Sequence, residues 1–94
     1  MSIELTARVR LAKDVLIQKI EGESILLNLA TENYFALDEV GTRMVNALEE
    51  SDSVEQAIGK LVGIYEVDES KLTSDAIRLV EECEQNGLLQ VTAA

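Results

Sequence analysis

The side chains able to do covalent or acid–base chemistry in this 94-residue chain are few in kind. There is no histidine and a single cysteine, Cys83. That excludes a zinc site and any Ser-His or Cys-His nucleophilic set. One thiol forms no internal disulfide, and Cys83 reads as a buried, reduced thiol of a cytosolic protein. Carboxylates are abundant, with eighteen Asp and Glu, but an acid/base couple needs two that converge on one bond. Glu81 and Glu82 are neighbours on a helix and point to different faces, so they make no couple. No catalytic residue, metal-ligand set or cofactor is assigned. What remains is binding chemistry: main-chain groups of a strand edge, apolar anchors and charge. The stretch NLATENYFALDEVG, residues 28–41, concentrates it, because Tyr34 and Phe35 are two of only three aromatic residues in the chain.

The elements that position those residues come from one continuous unit. A hydrophobic content of 47% is that of a globular chain. No proline, linker or repeat divides it, so residues 1–94 read as a single domain. No run of about 18 apolar residues is present, and no membrane span is expected. The N-terminus lacks a secretory signal pattern, Met1 reads as a genuine start, and the cytoplasm is the expected location. The formal charge is −10. It is unevenly spread: residues 1–20 hold four basic against two acidic side chains, and residues 21–94 hold four basic against sixteen acidic. Such a field repels phosphate backbones, so nucleic acid is not an expected partner.

Periodicity gives the order of elements. Asp14–Ile20 and Ser24–Ala30 are strand-like, with Gly22 between them free to take positive φ in a tight turn. Thr31–Asn33 is a second turn, with Asn33 as its left-handed residue. Tyr34–Leu37 is a short third strand, which completes an antiparallel meander. Alternation puts Phe35 and Leu37 on the core face and Tyr34 and Ala36 on the other. For Tyr34, core and interface roles both stay open. Whether TARVRLA, residues 6–12, joins the sheet or crosses it also stays open. From Asp38 the period becomes helical. Helix one is predicted over Asp38–Glu50 with Asp38 as N-cap, and Val40, Met44, Val45 and Leu48 form its buried stripe. Ser53 opens helix two with Gln56 in a capping-box pattern. Its stripe is Val54, Ala57, Ile58, Leu61 and Val62, and Gly63 ends it.

Helix three has the clearest limits. Asp68 is the N-cap, Val67 and Leu72 occupy staple positions, and Gly87 is the left-handed C′ residue with Leu88 folding back. Leu88–Val91 is a final strand. Leu72, Ala76, Leu79 and Cys83 share one stripe, with Val80 at its edge. Ile77 falls off that stripe, as either an isolated exposed side chain or the lip of a groove. The fold class is α+β: a winged helix-turn-helix of three helices preceded by a three-stranded antiparallel sheet. In a winged-helix DNA reader the last helix meets phosphates. Here it carries Asp68, Glu69, Asp75, Glu81, Glu82 and Glu84 against only Lys71 and Arg78. A DNA-binding regulator is therefore the second choice, and a carboxylate-based enzyme or an unrelated interaction subunit ranks lower.

Over about residues 8–91 the chain resembles the PqqD family, the peptide-binding domains also called RiPP recognition elements. The resemblance rests on Ile25–Asn28, then YFAL-D-x-VG (Tyr34–Gly41), SVEQAIGKL (Ser53–Leu61), YEVDESKLTSDAIRLVEEC (Tyr65–Cys83) and NGLL (Asn86–Leu89). TEN stands where many members carry a glycine-containing turn, and Asp38 stands where they carry asparagine, an equivalent cap. The resemblance implies a protein without catalysis or cofactor of its own. Such a protein binds the leader of a ribosomally made precursor and presents it to a separate enzyme. That enzyme is a radical SAM maturase or, as in lasso-peptide pathways, a leader peptidase. It further implies that the leader adds antiparallel to the third strand and lies against the third helix. Carried over, the peptide-binding residues are Asn33, Tyr34, Phe35, Ala36 and Leu37 on the strand. On the helix they are Leu72, Asp75, Ala76, Leu79 and Val80, with Ile77 as a further candidate. Asp75 and Glu82 would pair with a basic leader residue. An open strand edge fits either a monomer or a homodimer.

Overall fold

A two-residue turn starts the architecture. In the computed structural model, which describes residues 3–93, Glu21 and Gly22 take φ of 51° and 89°. Two successive positive φ values are the signature of the turn whose twist matches an antiparallel hairpin. That hairpin joins β2 (Val15–Ile20) to β3 (Glu23–Asn28), and β4 (Tyr34–Leu37) pairs on the other side of β3. The segment left open by the sequence forms β1 (Arg8–Leu11). It neither joins nor crosses the meander but pairs antiparallel with β5 (Leu89–Thr92) in a second, two-stranded sheet. Between β4 and β5 lie α1 (Glu39–Glu49), α2 (Val54–Val62) and α3 (Glu69–Gln85). The molecule is thus an α+β protein with three helices and two antiparallel sheets. Met1, Ser2 and Ala94, the ends of the expected 1–94 domain, lie outside the described residues.

The helix limits follow their caps. Asp38 accepts the Gly41 amide at 2.7 Å and Ser53 accepts the Gln56 amide at 3.1 Å. Gln56 completes the capping box one residue early, because its Oε1 accepts the Asp52 amide at 2.7 Å rather than that of Ser53. At the end of α3, Gly87 has φ of 72°. The Leu88 amide donates to the Cys83 carbonyl at 2.8 Å and the Gly87 amide to that of Glu84 at 3.1 Å, both bonds of a Schellman motif.

The core is one cluster. Leu26 and Leu37 enter it from the meander, Met44, Val45 and Leu48 from α1, and Val54, Ala57, Ile58 and Leu61 from α2. Leu72, Ala76, Val80 and Cys83 enter from α3, and Val9, Leu88 and Leu89 from the second sheet and the residue before it. Two assignments along the stripes change. Val40 is exposed, so the buried face of α1 uses Gly41, Thr42 and Ala47 with Met44, Val45 and Leu48. On α3, Val80 is fully buried and Leu79 only half-buried, the reverse of the sequence order. The helix packs against both α2 and β5, so its buried face is set by two neighbours and centres on Leu72, Ala76, Val80 and Cys83.

Polar links hold the N-terminal segment onto the helices. The Arg10 guanidinium donates to the carbonyls of Leu48 and Ser51 at 3.1 and 2.8 Å, satisfying orphan acceptors at the end of α1. The carbonyls of Leu5 and Ala7 accept the first amides of α2, from Glu55 and Val54. A buried hydroxyl pair, Ser24 and Thr42 at 2.7 Å, fixes β3 on α1.

Burial pushes the Cys83 thiol up to about 11, with the negative charge of Glu82 adding to the effect. The unfolded thiol ionises near 9.0. A raised folded value means this contribution is complete below pH 9.0 and is lost as pH rises through 11. Thermal melts across that window should show a steeper fall for the wild-type chain than for Cys83→Ala. Parallel curves would show that the thiol does not contribute.

Candidate functional site

The edge of the meander away from β2 is β4, only four residues long. Its main-chain polarity follows from the register. The Asn28 amide donates to the Asn33 carbonyl at 2.9 Å, and antiparallel pairs alternate between bonded and non-bonded. Phe35 and Leu37 therefore bond inward to Leu26 and Ser24, whereas the N–H and C=O groups of Tyr34 and Ala36 face away from β3. No charge, bulge or proline guards that edge, the usual devices against strand addition. Side chains divide as the alternation predicts: Leu37 is buried, Phe35 half-buried against the core, and Ala36 exposed. Tyr34 is 70% exposed, which removes the core role left open for it.

The start of β4 is tied to the end of α3. The Asn28 side chain accepts the amides of Ala30 and Thr31 at 2.9 and 3.0 Å and donates to the Gly87 carbonyl at 2.9 Å. Asn33 donates from its Nδ2 to the Asn86 carbonyl at 3.2 Å. The sequence makes Asn33 the left-handed residue of this turn, but Glu32 takes that role, with φ of 65°. Asn33 is already paired with Asn28 and must be extended, so the positive φ falls one residue earlier.

The end of β4 leads through Asp38 into α1, whose Val40 and Met44 face the start of α3. There Val40, Met44, Tyr65, Val67, Leu72 and Asp75, with Lys71, line a depression of about 100 Å³. One end of β4 is thus tied to the end of α3 by Asn28 and Asn33, and its other end leads into α1, which meets the start of α3 at the depression. Asp75, Leu79, Glu82 and Asn86 follow each other along α3 at spacings of three and four, from the depression to the asparagine junction. Asp75 is held by Lys71 at 2.9 Å. Leu79 is the half-buried apolar member of this line, and Glu82 is exposed.

The other expected helix residues sit differently. Leu72 is buried and lines the depression. Ala76 and Val80 have no exposed surface and act as the backing of the helix. Ile77 is half-buried against the core, not an isolated exposed side chain. It projects about 200° around the helix from Asp75, on the opposite flank from that residue. Sequence reasoning missed Asn28, Val40 and Tyr65 as parts of this region. Asn28 had a signal, since an asparagine ending the apolar run SILLN needs a buried partner. Val40 and Tyr65 are 25 residues apart and meet only in the fold. The Tyr65 hydroxyl is buried without a hydrogen-bond partner. Among the described residues no group of three His, Cys, Asp or Glu could hold a metal ion. Nor, among them, is any helix long and apolar enough to cross a membrane.

Residues 23–89 match the family profile of coenzyme PQQ synthesis protein D (PqqD). Among solved structures, TbiB1 in complex with the TbiA(beta) leader peptide superposes with a TM-score of 0.81 at 29% identity. The match covers 90% of this chain and 99% of that one. Lasso peptide synthetase B1, complexed with the leader peptide, superposes at 0.78 with 22% identity, over 88% and 98% of the two chains. No curated protein sequence matches the chain.

The junction at Asn28 makes a direct prediction. Asn28→Ala strands two amides and the Gly87 carbonyl, and should cost about 2–3 kcal/mol in denaturant unfolding. Asn28→Asp keeps the two accepted bonds but loses the donated one and should cost less. Equal losses would show that the link to Gly87 is the part that counts.

Proposed function

This chain belongs to the PqqD family, and from that premise we propose that it binds the leader segment of a precursor peptide by strand addition and hands it to a separate modifying enzyme. The observation that carries this reading is the unguarded β4 edge, with the main-chain groups of Tyr34 and Ala36 turned away from β3. Two similar structures are themselves leader-peptide complexes. An added strand needs only backbone complementarity, and side-chain pockets then supply selectivity. The guest would run antiparallel to β4 over Asn33–Leu37, with the line Asp75, Leu79 and Glu82 as the opposite wall. Its apolar anchor would enter the depression at Leu72. Ala76 and Val80 would support that wall from behind, and Ile77 stands apart from it.

The chain as a whole would act as one peptide-binding domain, a reading supported by its single core cluster. The path β1, α1, α2, α3, β5 fits a winged helix-turn-helix in which the β1–β5 pair is the wing. Peptide binding is favoured over DNA binding because α3 is acidic and the net charge is −10. The enzyme served would be a radical SAM maturase or a leader peptidase, in the cytoplasm.

Two experiments test this. Ala36→Pro deletes an N–H on the free edge while sparing the β3–β4 ladder, so the fold should survive. Affinity for the leader of the neighbouring precursor should fall at least tenfold, about 1.4 kcal/mol. Wild-type affinity in the folded variant would rule out strand addition here. Second, Asp75→Asn with Glu82→Gln should weaken binding of a leader bearing Lys or Arg at about 0.01 M salt and not at about 1 M. A loss of the same size at both ionic strengths would mean that these carboxylates act through packing and not charge.

A further inference from the structure

A second depression, of about 220 Å³, lies between α1 and the end of α2. Buried Leu61 and exposed Ile64 give it apolar lining. Arg43, Lys60 and the carboxamide of Asn46 supply donors, and Glu50 is its one acidic lining residue. Residues 21–94 hold only four basic side chains against sixteen acidic. Two of those four border this depression, which makes it a cationic spot on an acidic protein. Neither cation is committed elsewhere. Arg43 meets the Glu39 carboxylate at 3.8 Å with both side chains exposed, and such a pair adds little. Lys60 donates to the Glu50 carbonyl at 3.3 Å, a neutral acceptor at the end of α1.

Position links this depression to the guest strand. A strand antiparallel to β4 has its N-terminal end beside Leu37, where β4 leads into α1. The depression at Leu72 comes next, lined from α1 by Val40 and Met44. Arg43 follows on the same helix, and its guanidinium lies over the Tyr65 ring, 6.0 Å from the centroid. Tyr65 lines the first depression and its neighbour Ile64 the second, so the Arg43–Tyr65 pair separates the two. From Val40 to Asn46 the helix rises about 9 Å, which an extended chain spans in about three residues. We propose that the second depression receives an acidic side chain of the precursor leader, about three positions before the residue anchored at Leu72, with Arg43 and Lys60 holding its carboxylate. This deepens the leader-binding reading and rests on it. It also sets direction, because backbone bonds alone accept a guest strand either way round. An acidic residue here and a basic one at Glu82, one turn before the Asn86 that Asn33 holds, admit only the antiparallel guest.

The test titrates the full chain with the leader of the neighbouring precursor, in versions carrying Glu or Lys at successive positions before the strand-forming segment. The net charge of −10 favours Lys at every position, so a position that prefers Glu marks a local cationic site. One position should bind Glu about fivefold more tightly than Lys at about 0.01 M salt, and the preference should fade at about 1 M. Arg43→Gln with Lys60→Gln should abolish it while leaving the affinity of a leader with Gln at that position within about twofold of wild type. Glu50→Gln, which removes the competing carboxylate, should increase it. A Glu preference that survives in the double variant, or Lys preferred at every position, overturns the assignment while leaving leader binding intact. If the leader does not bind wild-type protein at all, the functional reading fails and this inference falls with it.

Discussion

Asn28 is the residue on which the joining of β4 to the end of α3 depends. One side chain closes the β3–β4 turn by accepting two amides, and with its remaining donor it reaches the carbonyl that follows α3. The three bonds use complementary ends of one amide, which no charged or apolar residue offers. Because the residue is buried, each unmade bond would carry a desolvation cost. Strand and helix are thereby fixed relative to each other at one end. At the other end the covalent path through Asp38 into α1 does the same, with Val40 and Met44 meeting Leu72 across the small apolar depression. Between these two points β4 packs on α1, and its outer edge is left without a partner strand.

That arrangement reconciles two demands. An edge strand that receives a guest must be exposed, yet an exposed edge invites unwanted pairing. Here the edge is short, and α3 carries Asp75 and Glu82 among many other carboxylates. Acidity on that helix disfavours phosphate backbones and favours basic peptides. The second sheet plays no part at the edge. β1 and β5 close the helices from below, and Arg10 and the carbonyls of Leu5 and Ala7 satisfy helix ends that would otherwise be orphaned.

The sheet therefore has three working surfaces. Its inner face, through Leu26, Phe35 and Leu37, supplies core packing. Its β4 edge offers main-chain groups. Its outer face, with Leu16, Ile25 and Tyr34, is apolar without being covered. Tyr34 belongs to two of these, with its main chain on the edge and its side chain on the outer face.

Local chemistry made much of this legible from the residues. Caps at Asp38, Ser53 and Asp68, the left-handed Gly22 and Gly87, and the alternation that sends Phe35 and Leu37 inward all depend on near neighbours in the chain. The family resemblance likewise rests on residues in a fixed order along the chain. Other features were decided by contacts between distant segments. Residues 8–11 could not be placed because their partner, Leu89–Thr92, lies some eighty positions away. Leu79 and Val80 differ by one helical step, and the tertiary packing of α3 on α2 and β5 determined which is buried. The left-handed residue moved from Asn33 to Glu32 because Asn33 had to be extended to pair with Asn28. The tie between β4 and α3 has the same origin: the sequence determined strand and helix separately, and hydrogen bonds from Asn28 and Asn33 join the start of one to the end of the other.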